Sequence, residues 1–589
     1  MPLTFHPRHP VSIQSQTTME RRQPLTEVQN ECFVRRKVQK TYGKKGKASA
    51  ALESAKQIFI MPDDIVKKMA EVTIEEDQEP ETQPSRAAAV LSQNHKKTGT
   101  TQSSDNYVPK AKAAQKPKVK SRVSLRKSSG RVSRLSDTLD KDALSKVDVH
   151  QPEHFSPEYD AIYSFAEQYS QHPILSFQAY AEFLASRCDI KKVGEGAFSS
   201  VFAVTSKPGA NVAQSHHTVN DLKVLNGTTI FKVIPITMPG QEHRDDTTAL
   251  PKIISEIQTM DMMTTTYGFI NYRDVIICAG LWHESFLSAF RTFKTTQSLK
   301  ADNDDPEEVF GSNQYYALLE MDDAGTEVAD IRRPSDFQIF DIFWMTTMHL
   351  ANGEITREFE HRDLHLSNVC IKPHNPMEDR MDVDEDTASK MIEPPKHLLG
   401  MSNIGVTLID YTFSRATLPA DETSRWTRKP INCQEPPKAF PDITKNTDLE
   451  TRMQSWTYEK CRKMVQTNYA VLEKRNLNRD QKFGRVLQPW DMSWFKTNVC
   501  WLGHLLTCLL ERAGTGPRTR YVKRSSKLAK EVQDEMRISL TEVKELLTVQ
   551  RDNVNSLPSS ATALLALGVE KGWVKQDDIN GFRDKLEES

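Results

Sequence analysis

The chain has 589 residues and a formal net charge of −1, which conceals an uneven distribution of charge. The first 150 residues hold 28 Lys and Arg against 17 Asp and Glu, a net of +11, so the rest of the chain carries −12. There is no run of about 18 apolar residues and no apolar signal-like start, so we expect no membrane helix and a soluble protein of the cytosol or nucleus. The eight cysteines contain no CxxC pair, which excludes a common zinc-binding spacing.

Residues 1–150, hereafter the basic arm, are rich in Ser, Thr, Gln, Lys and Pro and poor in aromatic residues. Such a composition cannot bury enough apolar surface to offset chain entropy, which predicts disorder. Two basic clusters, Arg35–Lys47 and Lys110–Arg134, suggest a polyanionic partner such as nucleic acid or chromatin. The alternative is a solvated tail whose charge only keeps it soluble.

Residues 151–589 read as one folded α+β domain, because apolar residues become frequent and periodic from about Phe155. We predict a helix over Ala161–Arg187, broken near Pro173. Short β-rich runs predict strands over Ser199–Val204, Thr229–Ile236, Val275–Ala279 and Gln314–Met321. One helix, Pro251–Met263, is predicted between the second and third of these strands. Longer helices are predicted over Phe337–Phe359, Met453–Arg475, Phe495–Arg512 and Lys527–Leu547. The outline is a β-rich lobe over about 155–320 and a helical lobe over about 321–589.

The run GEGAFSSV, Gly194–Val201, reads as a strand-turn-strand position, where a glycine-rich loop would lay backbone N–H groups over nucleotide phosphates. Ser199 stands at the third glycine position of that pattern. Taken alone, the run is equally compatible with a plain tight turn.

Lys232 lies among apolar neighbours in the predicted strand Thr229–Ile236, so its charge requires an anionic partner. Glu256, on the predicted helix Pro251–Met263, is the candidate partner, and such a pair holds the lysine against the nucleotide's α- and β-phosphates. The alternatives are a solvent-facing edge lysine and a solvated helix glutamate.

The run HRDLHLSN, His361–Asn368, matches the kinase pattern HRDxxxxN at every specified position. Asp363 would accept the proton of a substrate hydroxyl, and Asn368 would bind a metal ion held by the nucleotide. The strand GVTLID ends at Asp410, a second magnesium ligand, which is followed by Tyr411 and Thr412 instead of Phe-Gly. Because Thr is stiffer than Gly, we predict that this segment flips less easily between active and inactive positions.

With these motifs in hand, the chain from about Phe155 onward resembles the haspin family of atypical Ser/Thr protein kinases; HRDLH and the DYT triplet are the distinctive residues. The resemblance implies a bilobal protein-kinase fold, use of ATP and Mg²⁺, and phosphorylation of the histone H3 N-terminal threonine in mitosis. It also implies a nuclear and chromosomal location, with cytoplasm as a further possibility, and we expect a monomer.

By the same resemblance, three segments bind the nucleotide. The glycine-rich segment comprises Val193, Gly194, Glu195, Gly196, Ala197, Phe198, Ser199, Ser200 and Val201. The hinge comprises Glu320, Met321, Asp322, Asp323, Gly325 and Glu327. The phosphate and metal side comprises Lys232, Asp363, His365, Asn368, Asp410, Tyr411 and Thr412, with His365 packed beside the DYT triplet.

Three features depart from the family pattern: Ser199, Ile230 at a position usually held by alanine, and the long insert Pro373–Gly400. They leave two alternatives to catalysis. One is a pseudokinase that serves as a scaffold, and the other is a chromatin-binding module that works through the basic arm.

Overall fold

The computed structural model describes residues 147–150, 159–196, 199–207, 228–238, 246–297, 303–374, 393, 395–417, 430–432, 435–438, 447–478, 486–514, 527–548 and 556–588. The predicted disorder of the basic arm lies outside these residues, apart from 147–150. In that short stretch Val149 pairs with Leu175, and the N–H of His150 donates to the carbonyl of Ile174 at 2.9 Å. These residues therefore lie against the folded part.

The first half of the described chain forms a six-stranded sheet in the order β1-β5-β6-β4-β3-β2. Its strands are β1 (Leu175–Ser176), β2 (Cys188–Gly196), β3 (Ser199–Ser206), β4 (Thr228–Pro235), β5 (Tyr272–Ala279) and β6 (Tyr315–Asp322). Strand β1 pairs with β5 in parallel, and the other pairings are antiparallel. Each predicted strand of this region is confirmed, and β2 extends the sheet at its edge.

Helices cover both faces of the sheet. They are α1 (Asp160–Tyr169), α2 (Phe177–Ala185), α3 (Leu250–Met263), α4 (Glu284–Thr296) and the short α5 (Pro306–Val309). Phe231 and Val233 of β4 pack into a cluster with α2 and α4, so Lys232 between them points to the opposite face, where α3 lies. The sequence analysis predicted α3 but not α4 or α5.

The second half is helical and begins with the buried helix α6 (Asp336–Arg357), which a capping box of Ser335 and Gln338 starts. The other helices are α7 (Leu449–Lys474), α8 (Lys496–Ala513), α9 (Lys527–Thr548), α10 (Ala561–Lys571) and α11 (Gln576–Glu588). Helices α6 to α9 match predicted helices within a few residues, whereas α10 and α11 were missed. No helix within the described ranges is long and apolar enough to cross a membrane.

Between the two halves lies a small three-stranded sheet of β7 (Thr326–Glu327), β8 (Val369–Pro373) and β9 (Ile404–Leu408). Two further short strands, β10 (Arg415–Thr417) and β11 (Pro430–Asn432), pair antiparallel. The loop before β8 carries HRDLHLSN, and the loop after β9 carries DYT. The N–H of Ile409 donates to the carbonyl of Asn368 at 3.0 Å, so both motifs meet at one edge of the small sheet. The fold is thus the predicted α+β arrangement of a β-rich and a helical lobe.

Candidate active site

Lys232 is the centre of a charged cluster that joins the two lobes. Its Nζ lies 2.7 Å from Glu256 Oε1 on α3 and 3.5 Å from Asp410 Oδ1. Burial acts to lower the pKa of Lys232, but the two carboxylates outweigh it and hold that pKa above its usual value. The predicted Lys232–Glu256 pair is present, and the solvent-facing alternatives for both residues are excluded.

Asp410 stays ionised although it is only partly exposed, with 32% of its side-chain surface accessible. Burial alone would raise its pKa, but Lys232 and hydrogen bonds from Thr412 bring the pKa down to about 2. The Thr412 backbone N–H and hydroxyl both donate to Asp410 Oδ1, at 3.1 and 2.6 Å. The backbone at Asp410 is left-handed, with φ of 59°, a conformation that aspartate tolerates better than most residues.

Tyr411, the middle residue of DYT, is fully buried and held at its hydroxyl. The hydroxyl donates to the carbonyl of Leu408 at 2.9 Å and accepts from the N–H of Ile270 at 3.0 Å. Its ring packs edge-on against Phe359 at a centroid distance of 5.6 Å. These contacts give a physical basis for the predicted resistance of this segment to flipping, which stays a prediction.

Asp363 is 8% exposed, and its backbone carbonyl accepts from the Asn368 side-chain amide at 2.8 Å. Burial raises the pKa of the Asp363 carboxyl, and hydrogen bonds from Tyr458 and Gln454 oppose that rise. His365 Nε2 lies 3.1 Å from Asn368 Nδ2 and 3.8 Å from Asp363 Oδ2. The predicted base and the predicted metal ligand therefore lie together, and His365 contacts them directly.

The arginine that precedes the base is neutralised inside the protein. Arg362 is 1% exposed, has a left-handed φ of 64°, and pairs with Glu360 at 3.1 Å. Its other guanidinium N–H groups donate to the carbonyls of Trp490 and Met492 at 3.0 and 3.2 Å. In kinases whose activation loop is ordered by phosphorylation, an arginine pairs with the added phosphate. Here Glu360 already supplies that negative charge.

Residues far along the chain hold the catalytic loop, and the sequence analysis missed them. Asn498 of α8 accepts from the N–H of His361 at 3.0 Å and donates to the carbonyl of Phe359 at 3.1 Å. Tyr458 of α7 donates to Asp363 Oδ1. These residues lie 137 and 95 positions from their partners, and no local motif marks them.

The glycine-rich segment forms the β2–β3 hairpin, in which Gly196 pairs with Ser199; Ala197 and Phe198 lie outside the described residues. Asn303, which precedes α5, holds this hairpin from one side. Its N–H donates to Glu195 Oε2 and its side-chain amide to the carbonyl of Ser199, both at 3.0 Å. Lys192 also pairs with Glu195. The hairpin is therefore anchored to neighbouring structure.

The predicted hinge residues run from the end of β6 to β7. Glu320 is fully buried, and Arg273 Nη1 lies 3.7 Å from its carboxylate. Gly325 has a φ of 92°, and a Cβ there would lie 2.3 Å from the carbonyl oxygen of Ile371, so only glycine fits. Glu327 follows on β7, and its carboxylate lies 3.7 Å from the position a Cβ on Gly194 would take. Glu327 therefore faces the glycine-rich hairpin.

The donor set at Asn368 and Asp410 suits Mg²⁺. An ionised carboxylate and an amide oxygen are hard oxygen ligands of the kind magnesium binds, together with substrate phosphates. No group of three or more His, Cys, Asp or Glu forms a metal site within the described residues.

Comparison with known proteins now adds to this geometry. Residues 100–565 match the model of the haspin-like kinase domain family. The chain belongs to the haspin-like kinase family. This confirms the resemblance drawn from HRDLH and DYT, and the match begins within the basic arm.

Three relatives illustrate how similar in sequence this chain is to other members of the family. A Drosophila melanogaster haspin homologue, described as a Ser/Thr protein kinase, is 25% identical over 359 residues, which is 59% of this chain and 50% of the relative. Mouse haspin is 26% identical over 55% of this chain and 36% of its own length. An Arabidopsis thaliana homologue is 22% identical over 57% of this chain and 46% of its own length. The haspin-like chain thus spans half the length of these relatives or less.

A solved structure of a Cydia pomonella granulovirus kinase aligns with 66% of this haspin-like chain and 96% of its own, at 11% identity and a TM-score of 0.27. That score is too low to support an argument. The assignment of the fold therefore depends on the family and on the sheet and helices described above.

Proposed function

We propose that this chain is a Ser/Thr protein kinase that transfers the γ-phosphate of ATP to a protein hydroxyl. The observation that carries the proposal is the assembled set of charges: Lys232 on Glu256, the ionised Asp410, and Asp363 beside Asn368. Each group required for phosphoryl transfer is present and in contact with its expected neighbour. A scaffold without activity would have no need of this arrangement.

In the proposed mechanism, Lys232 binds the α- and β-phosphates, and Glu256 keeps its ammonium in place. Asn368 and Asp410 would hold magnesium, which would neutralise charge on the phosphates. Asp363 orients the substrate hydroxyl and accepts its proton as the oxygen bonds to the γ-phosphorus and the bond to ADP breaks. These residues contribute charge and position, which are the main sources of catalysis in phosphoryl transfer.

We further propose that the substrate is a basic peptide, and specifically the N-terminal threonine of the histone H3 tail in mitosis. Burial lowers the pKa of His365 in the catalytic loop, but Asp410, Glu450 and Glu327 oppose that shift. Three carboxylates thus act on one point of the loop, and residues 151–589 carry a net charge of −12. A net negative charge of this size steers cationic peptides towards the domain.

The test is a radiolabelled-ATP assay of the full chain with an H3 N-terminal peptide, and with the same peptide carrying alanine for its first threonine. Asp363→Asn is the control variant, because it keeps the shape of the side chain and loses the base. Incorporation that requires both the threonine and Asp363 is the expected result. No incorporation into H3 or into generic protein substrates, together with no ATP binding, would favour the scaffold.

The basic arm has a separate proposed role: its net charge of +11 places the enzyme on chromatin in the nucleus. Deleting residues 1–150 would test this role, but it would also remove residues 147–150, which contact the domain. A deletion of residues 1–140 keeps that contact and is therefore the cleaner variant. Chromosome binding should fail while peptide phosphorylation survives. Retained chromosome binding would show that the domain itself carries the localisation.

A further inference from the structure

The main chain and the carboxylate of Asp363 are held by different parts of the protein. Its backbone carbonyl accepts from the N–H of His365 at 3.0 Å and from the Asn368 amide at 2.8 Å, so the main chain is fixed by the catalytic loop itself. Its carboxylate is held from outside the loop, where the hydroxyl of Tyr458 on α7 donates to Oδ1. Orientation of the carboxylate therefore depends on a helix that is distant in sequence.

The two carboxylate oxygens have different surroundings. Oδ1 accepts from Tyr458, Oδ2 lies 3.8 Å from His365 Nε2, and Gln454 of α7 also donates a hydrogen bond to this carboxylate. A substrate hydroxyl that approaches the base would meet the oxygen turned away from Tyr458. Partial rotation about the Cβ–Cγ bond would break the contact with Tyr458 and turn the other oxygen away from the substrate hydroxyl.

Tyr458 is well placed to resist such rotation because it is itself immobilised. It is 3% exposed, and its ring packs edge-on against Trp501 of α8 at a centroid distance of 5.1 Å. Trp501 is fully buried, and three residues before it on α8 lies Asn498, which binds the backbone of His361. One helix thus supports both the main chain next to the base and the tyrosine that holds its carboxylate.

We propose that Tyr458 is a positioning residue that fixes the plane of the Asp363 carboxylate, so that the oxygen turned away from the tyrosine faces the substrate hydroxyl. The inference rests on the proposed kinase activity. A residue of this kind acts on the chemical step and not on ground-state binding, because neither ATP nor peptide needs to touch it. Displacement of a catalytic group by about 1 Å can lower the rate about 100-fold.

The test compares Tyr458→Phe with Tyr469→Phe in the full chain. Both residues lie on α7 and both lose only a hydroxyl; the hydroxyl of Tyr469 donates to the carbonyl of Leu487 at 2.9 Å instead of to the base. The expected result is a fall in kcat of about 10- to 100-fold for Tyr458→Phe, with KM for ATP and peptide within about twofold of wild type. Tyr469→Phe should retain wild-type kcat.

A double-mutant cycle separates positioning from a general loss of structure. In an Asp363→Asn background, Tyr458→Phe should lower the residual rate by less than about twofold, because the carboxylate it positions is gone. An equal fall in both backgrounds, or a kcat for Tyr458→Phe within twofold of wild type, would overturn the inference while leaving the kinase proposal intact. Wild-type protein without activity on any protein substrate would overturn both.

Discussion

The buried pair of Arg362 and Glu360 yields a sharp prediction for Glu360→Gln. Both side chains are 1% exposed or less, and Glu360 also accepts from the N–H of Trp494 at 2.6 Å and from the hydroxyl of Thr497 at 3.0 Å. Glutamine removes the negative charge and turns an NH₂ group towards one of these donors. The guanidinium of Arg362 then remains buried without its counter-charge.

Removing one partner of a buried ion pair costs about 3–5 kcal/mol, whereas an exposed pair contributes at most about 1 kcal/mol. The chain offers a matched control in Glu435→Gln. Glu435 pairs with Arg462 at 2.6 Å, but its side chain is 59% exposed. We expect Glu360→Gln to lower the free energy of unfolding by about 3 kcal/mol, and Glu435→Gln to lower it by less than about 1 kcal/mol.

Equilibrium urea unfolding of the full chain, followed by tryptophan fluorescence, measures both variants against wild type. Trp490 and Trp494 lie beside the buried pair and report on it directly. If the two variants differ by less than about 1 kcal/mol, the assignment of a strong role to the buried pair is wrong. Because Arg362 directly precedes Asp363, Glu360→Gln should also lose kinase activity.

Three further predictions follow from buried groups. Since Glu360 already neutralises Arg362, phosphatase-treated protein should keep its activity on peptide, and a requirement for prior phosphorylation would contradict this. Burial raises the pKa of Glu354 from 4.5 to about 7. The stability of wild type relative to Glu354→Gln, measured by urea unfolding, should therefore be greatest near about pH 4 and decline by about 3 kcal/mol towards about pH 8. A difference that does not change with pH would refute the burial argument. Gly568→Ala should destabilise the protein by about 1–3 kcal/mol, because a Cβ there would lie 2.5 Å from the Trp344 ring. Gly581 on α11 has open space around it, so Gly581→Ala should be neutral or slightly stabilising. Thermal unfolding measures both variants.

Local patterns were sufficient for β3 to β6, for β9 and for most of the long helices. β4 was predicted because it is a short run of bulky, β-rich apolar residues around Lys232, and α6 because the sequence changes to long helical patterns after Pro334. Helix α4 was missed because its apolar residues lie between charged and Thr-rich stretches, and α10 because it is short and follows a polar loop. Burial of these helices comes from partners that periodicity alone does not reveal.

The catalytic residues themselves were readable because phosphoryl transfer demands particular groups at fixed spacing. Asp363 and Asn368 lie on one short loop, so their separation is a local property of the chain. The kinase motifs predicted that three more distant residues would meet, namely Lys232, Glu256 and Asp410. The structure confirms their contact.

What the tertiary structure alone decided is how these residues are held. Tyr458, Asn498 and Glu360 bind the base, the loop backbone and the preceding arginine, and two of them come from helices about 100 residues or more along the chain. A single hydrogen bond between distant elements leaves no pattern in the sequence, because any of many tyrosines or asparagines on a buried helix face would look the same. The sequence by itself therefore determined the chemistry of this site, and packing determined its geometry.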